Sequence, residues 1–114
     1  MLARYFKEKG AEVIETEGGF LAYVVSGSQF YISEFFIDEG YRQSSKHFLS
    51  LMIKAYDAAV AARCEVFSCH VPLSLPDANE ILLSRLKFGY KVTTFEDGKF
   101  GMMLSLKECP WVRP

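Results

Sequence analysis

A carboxylate set among aromatic residues, a serine-lysine-histidine run ahead of a helical pattern, and a thin scatter of histidine and cysteine supply the reactive side chains of this chain. Glu34 lies in the run Phe30-Tyr31-Ile32-Ser33-Glu34-Phe35-Phe36. Unbroken strand alternation places it on one face with Phe30, Ile32 and Phe36. A carboxylate beside apolar rings loses solvation and its pKa rises, which suits a proton acceptor. A strand glutamate also serves as a rim residue or as the partner of a lysine or arginine, and the residues alone leave these uses open. His47 and His70 are the two histidines, and with Cys64, Cys69 and Cys109 they form no metal-ligand spacing, so no metal site is expected. A nucleophilic thiol needs a base on its own side, but Cys69 and His70 are strand neighbours that point to opposite faces, so the cysteines read as core residues. No Ser-His-Asp order or Walker loop stands out.

Those side chains sit in 114 residues, the length of one domain. Half the residues are apolar and the aromatics include ten Phe and six Tyr, enough for a thick core. A net charge of −1 gives no basic face for nucleic acid, although Arg42, Lys46, Lys54 and Arg85 can gather into a small anion site. The odd cysteine count without CxxC suits a reducing, cytoplasmic setting. The N-terminus lacks an apolar stretch of signal type, and no apolar run approaches the ~20 residues of a membrane span.

The elements that position these groups follow from period and punctuation. Residues 1–10 read as a short helix or arm ending near Gly10. Ala11–Thr16, Phe20–Val25 and Gln29–Ile37 read as strands joined by turns at Glu17-Gly18-Gly19 and Ser26-Gly27-Ser28, an antiparallel meander. Phe48, Leu49, Met52, Ile53, Tyr56, Ala59 and Val60 then recur at helical spacing, predicting a helix of about twenty residues from near Ser44 to Arg63. Cys64–Val71 returns to strand character, so a parallel crossover is expected. Asp77 and Glu80 resemble a capping box opening a helix through Phe88, with Gly89 in the C′ position. Tyr90–Phe95 and Lys99–Leu106 form a hairpin around Asp97-Gly98, and Cys109–Pro114 is a tail. The order β-β-β-α-β-α-β-β predicts an α+β domain, a mixed and mostly antiparallel sheet flanked by helices. Met102-Met103-Leu104 reads as core or as a homodimer contact.

The segment Tyr31-Ile32-Ser33-Glu34-Phe35-Phe36-Ile37-Asp38-Glu39-Gly40-Tyr41-Arg42 resembles the central strand and loop entry of the Gcn5-related N-acetyltransferase (GNAT) superfamily. The long helix, the next strand and a helix ending in Gly89-Tyr90 follow in the family's order, so the resemblance spans about residues 11–106. It implies a sheet that splays after the central strand to admit the pantetheine arm of acetyl-CoA. On that resemblance Phe36, Ile37 and Asp38 supply strand contacts, and Arg42, Gln43, Ser44, Ser45, Lys46 and His47 form the pyrophosphate loop at a helix N-terminus. Asn79 matches an asparagine ahead of the family's next helix. Glu34 matches the family's general base; the position of its acidic tyrosine holds Arg85, which leaves Tyr90 or Tyr56 to stand in for it.

Three features depart from the family. Its loop carries small residues where this chain has Ser45 and His47. Either the side chains of Ser45, Lys46 and His47 take over phosphate binding, or a serine merely caps the helix and the slot no longer takes CoA. The tyrosine is displaced, and ten residues ahead of the first strand are too few for the usual acceptor side. The expected activity is an acetyl-CoA-dependent N-acetyltransferase acting on an amine acceptor. The alternatives are a non-catalytic interaction protein of the same fold, like short phage-encoded relatives, or an acyl-CoA-binding module that transfers nothing.

Overall fold

The computed structural model describes residues 2–42 and 46–109. Helix α1 (Leu2–Glu8) leads into strands β1 (Glu12–Thr16), β2 (Gly19–Ser26) and β3 (Gln29–Ile37). Helix α2 (Lys46–Ala61), strand β4 (Val66–Pro72), helix α3 (Ala78–Phe88), and strands β5 (Lys91–Glu96) and β6 (Lys99–Ser105) follow. The six strands form one sheet in the order β1-β2-β3-β4-β6-β5. Only β3 and β4 run parallel, because α2 returns the chain across the sheet before β4 begins. The expected α+β order is therefore the observed one.

The sheet has a helix on each side, and alternation along β2 shows why. Leu21 joins the main core with Phe30, Phe67, Met52 and Leu104, under α2 and α3. Its neighbour Ala22 packs with Phe6 of α1 and Phe20 in a smaller core on the other face. In α2 the buried positions Leu51, Met52, Ala55 and Ala59 share one stripe of a 3.6-residue period. That stripe lets small alanines bring the helix close to the sheet while Phe30 and Phe67 fill the space beneath.

Boundaries differ from expectation where local chemistry overrides pattern. Helix α2 ends earlier than predicted, because Arg63 takes a left-handed φ of 61° while the Cys64 N–H reaches back to the Ala59 carbonyl. Cys64 thus precedes β4 and does not open the strand expected over Cys64–Val71; it and Cys69 are free and buried. Asp77 stands at the start of α3 but its side chain makes no capping bond, so no capping box forms. Gly89 does end α3 at φ 114°, where a side chain would be strained, with the Gly89 and Tyr90 N–H groups bonded to Leu86 and Arg85 carbonyls. Asp97 and Gly98 both take positive φ, giving the tight β5–β6 turn.

Candidate active site and cofactor slot

The pairing of β3 with β4 stops after three residues. Gln29, Phe30 and Tyr31 face Val66, Phe67 and Ser68, and beyond them the strands diverge. The cause sits on β3, whose register against β2 jumps so that Ala22 faces Glu34 while Tyr23 faces Ile32. Ser33 is the extra residue of this bulge, and its hydroxyl donates to the Ala22 carbonyl at 3.2 Å. The divergence opens a cavity of about 360 Å³, within the ~300–1,000 Å³ range of small-molecule sites.

The bulge also settles which side chains meet there. Phe30 and Ile32 lie in the main core, as do Phe35 and Ile37 beyond the bulge. Phe36 instead contacts Phe20 at 5.7 Å on the α1 side, and alternation puts Glu34 with it. The expectation that Glu34 shares a face with Phe30 and Ile32 is corrected: one inserted residue reverses the phase. Glu34 is exposed, so the apolar enclosure expected around it is absent. It borders the cavity with Tyr31, His70 and Lys99, while Cys69, Val71, Ile81 and Arg85 line the side nearer the helices.

Backbone groups complete the wall. The Asp38 N–H donates to the Gly18 carbonyl at 2.8 Å. Antiparallel bonding alternates, so Phe36 and Glu34 also direct their backbone groups to β2, and Phe35 and Ile37 direct theirs to the open side. Helix α2 begins beside this edge, since Phe48 in its first turn meets Phe35 at a ring distance of 5.1 Å. A polar pair stands at the sheet's other face, with the Tyr31 hydroxyl 2.7 Å from Nδ1 of His70. Burial, aided by Cys69, raises the Tyr31 pKa and favours the protonated phenol.

No protein-family model and no curated protein matches the sequence. Solved structures do match. A GNAT-family protein from Desulfovibrio desulfuricans aligns at TM-score 0.70 and 10% identity, covering 90% of this chain and 74% of its own. A GNAT acetyltransferase from Elizabethkingia anophelis with acetyl-CoA bound aligns at TM-score 0.63 and 9% identity, with 90% and 82% covered. The anti-CRISPR protein AcrVA5 aligns at TM-score 0.66 and 12% identity, with 84% and 99% covered. The protein has the GNAT fold.

Within that fold the expected GNAT residues divide into three groups. Glu34 borders the slot, as does Phe35, which the sequence reading did not include, while Ile37 turns its backbone to the same open edge of β3 without lining the cavity. Phe36 and Asp38 turn their amides toward β2 instead, because the bonding alternates. Arg42 folds back on the strand end: its Nε donates to the Ile37 carbonyl at 2.6 Å and its guanidinium lies 5.7 Å over the Phe36 ring. Lys46 and His47 open α2, and His47 packs edge-on against Tyr41 at 4.7 Å, away from the lining of the slot. Gln43, Ser44 and Ser45 lie outside the described residues, as does the Trp111 tail. Asn79 is exposed in the first turn of α3 and does not line the slot. Tyr90 is buried in the main core at 3% exposure, below the slot, and a general acid must touch its leaving group. Its stand-in role as acid is therefore not met by its position. Tyr31, His70 and Arg85 reach the slot without having been assigned a role in it. The signal for the first two was available: parallel pairing of Tyr31 with Ser68 brings the residue two further on, His70, to the same face. Among the described residues no cluster of metal-ligating side chains occurs, and no helix is long and apolar enough to cross a membrane.

Buried titratable groups below the slot give a pH prediction. Burial pushes the Cys109 thiol from 9.0 up to about 11, while its S–H lies 3.6 Å from the Ser105 carbonyl. Burial raises the Tyr90 phenol as well. Both folded pKa values exceed the unfolded ones: the Cys109 contribution is intact below about pH 9 and is lost as pH rises through 11, while that of Tyr90 begins to fall only above about pH 10. The thermal midpoint is expected to fall across that interval, and less steeply in Cys109→Ala; parallel curves would refute the assignment.

Proposed function

We propose that the protein is an acyl-CoA-dependent N-acyltransferase with acetyl-CoA as donor and an amine as acceptor. The observation that carries this reading is the three-residue pairing of β3 with β4, which leaves a slot of about 360 Å³ edged by strand backbone. The pantetheine arm would bond to the Phe35 and Ile37 backbone as an added strand. The pyrophosphate would lie at the N-terminus of α2, where the helix dipole favours anions, with the residues from Arg42 to His47 as its expected contacts. The amine would enter from the face of Tyr31, Glu34 and His70. Glu34 would take its proton, through a water, as the nitrogen attacks the thioester carbonyl. Backbone N–H on the Phe35–Ile37 edge would polarise that carbonyl. Three buried, free cysteines suit the cytoplasm as its location.

A second reading is a non-catalytic interaction protein. It is favoured by the altered loop, which carries Ser45 and His47 where the family has small residues. The position of His47 against Tyr41 favours the first reading, since the ring does not fill the slot. Titration calorimetry with acetyl-CoA separates the two. Wild type is expected to bind in the micromolar range, and His47→Gly to change the Kd by less than about tenfold, roughly 1.4 kcal/mol. Binding by His47→Gly alone would mean a plugged slot and a protein to be studied through its partners.

A further inference from the structure

Arg85 occupies the wall of the slot without a carboxylate partner. Its guanidinium lies 5.4 Å over the Phe35 ring and 5.7 Å from the Phe48 ring centre, a stacked position that fixes the charge between α3 and the end of β3. The ion pairs among the described residues are Arg4–Glu8 and Lys91–Glu108, and neither involves it. Among the described residues Glu34 is the only acid bordering the slot, and alternation puts it on the other face of the sheet. Arg85 also borders a small void shared with Ile32, Phe35, Met52, Cys69 and Tyr90, so its inner surroundings are apolar or weakly polar. A half-buried guanidinium held among rings, with no carboxylate partner among the described residues, can receive an anion in the slot.

The neighbouring thiol shows what kind of anion suits it. Cys69 lines the slot beside Arg85, and while burial raises its pKa, the charge and a hydrogen bond from Arg85 pull it the other way. Arg85 thus favours the thiolate form of a neighbouring sulfur, offsetting part of what burial imposes on it. We infer that Arg85 holds the CoA sulfur as a thiolate, acting as the electrostatic receptor of the leaving group on the side of the slot opposite Tyr31. This rests on the acyltransferase reading of the slot. The step balances without an acid: the amine nitrogen bonds to the acyl carbon, the carbon–sulfur bond breaks with its electron pair on sulfur, and the amine proton leaves through Glu34. The thiolate departs paired with Arg85 and takes up a proton in solvent. CoA should then bind as the thiolate, releasing a proton when the pH lies below that of an ordinary thiol.

The test is calorimetry of CoA and of desulfo-CoA, which lacks the sulfur, in buffers of different ionisation enthalpy at pH 7.5. Wild type is expected to release close to one proton per CoA bound and none with desulfo-CoA. Arg85→Gln is expected to lose that release and to bind CoA roughly tenfold more weakly, as for a lost charge-assisted contact. Its affinity for desulfo-CoA should be unchanged, which also shows that the variant is folded. Arg85→Lys, which keeps the charge, should restore most of the release. Equal proton release by wild type and Arg85→Gln overturns the inference and leaves the slot intact as a CoA site. Failure of wild type to bind either ligand overturns the inference and the acyltransferase reading together.

Discussion

Phe30→Ala is expected to destabilise the protein by about 3–5 kcal/mol, the cost of truncating a phenylalanine in a packed core. Phe30 is fully buried, stacks on Tyr23 at 4.1 Å and meets Phe67 edge-on at 5.4 Å. It is also the middle residue of the only segment where β3 and β4 pair, opposite Phe67. Removing the ring leaves a cavity at the one point that ties the two halves of the sheet together. A loss of that size approaches the whole stability of a domain, typically ~5–15 kcal/mol. Urea denaturation checks it: the midpoint should fall steeply while the slope stays near that of wild type. A control at Val25, which is 42% exposed, should move little when changed to alanine. A small effect at Phe30 would mean that the sheet is joined elsewhere.

The second large effect belongs to the proposed chemistry. Glu34→Gln should lower kcat/KM for acyl transfer by at least about 100-fold, or roughly 2.7 kcal/mol, the lower range for a lost general base. The substitution keeps shape and hydrogen bonding but removes the proton acceptor. Glu34 is exposed and faces away from the main core, so stability and acetyl-CoA affinity should hardly change. Release of the CoA thiol, followed across amino acids, polyamines and peptide N-termini as acceptors, provides the readout. Full activity in Glu34→Gln would remove the carboxylate from the mechanism and turn attention to His70.

Much of the fold was written locally. The turn glycines, the Asp97-Gly98 hairpin, the apolar stripe of α2 and the glycine after α3 each act through neighbouring residues, and each is where its local chemistry puts it. The site was harder to read because its geometry depends on non-local pairing. Parity counted along Phe30, Ile32, Glu34 and Phe36 assumes an unbroken ladder, and Ser33 breaks it through a bond to Ala22 on the next strand. Nothing in the dipeptides around Ser33 specifies that bulge. The histidine at position 47 looked like an obstruction by volume, but its direction depends on Tyr41, six residues earlier. Tyr90 was a reasonable substitute acid by distance along the chain, and only the packing of α3 against β4 reveals that it lies beneath the slot.

The bulge at Ser33 has an evolutionary reading as well. Substitutions along β3 can alter how well the slot works, but the slot exists because of a count. A lineage that lost one residue here would restore the ladder, bring the backbone of β3 back into step with β4, and close the opening whatever side chains it kept. Tolerance of this chain to insertions and deletions should accordingly be lowest in a stretch several of whose side chains are exposed, the reverse of what burial alone would suggest.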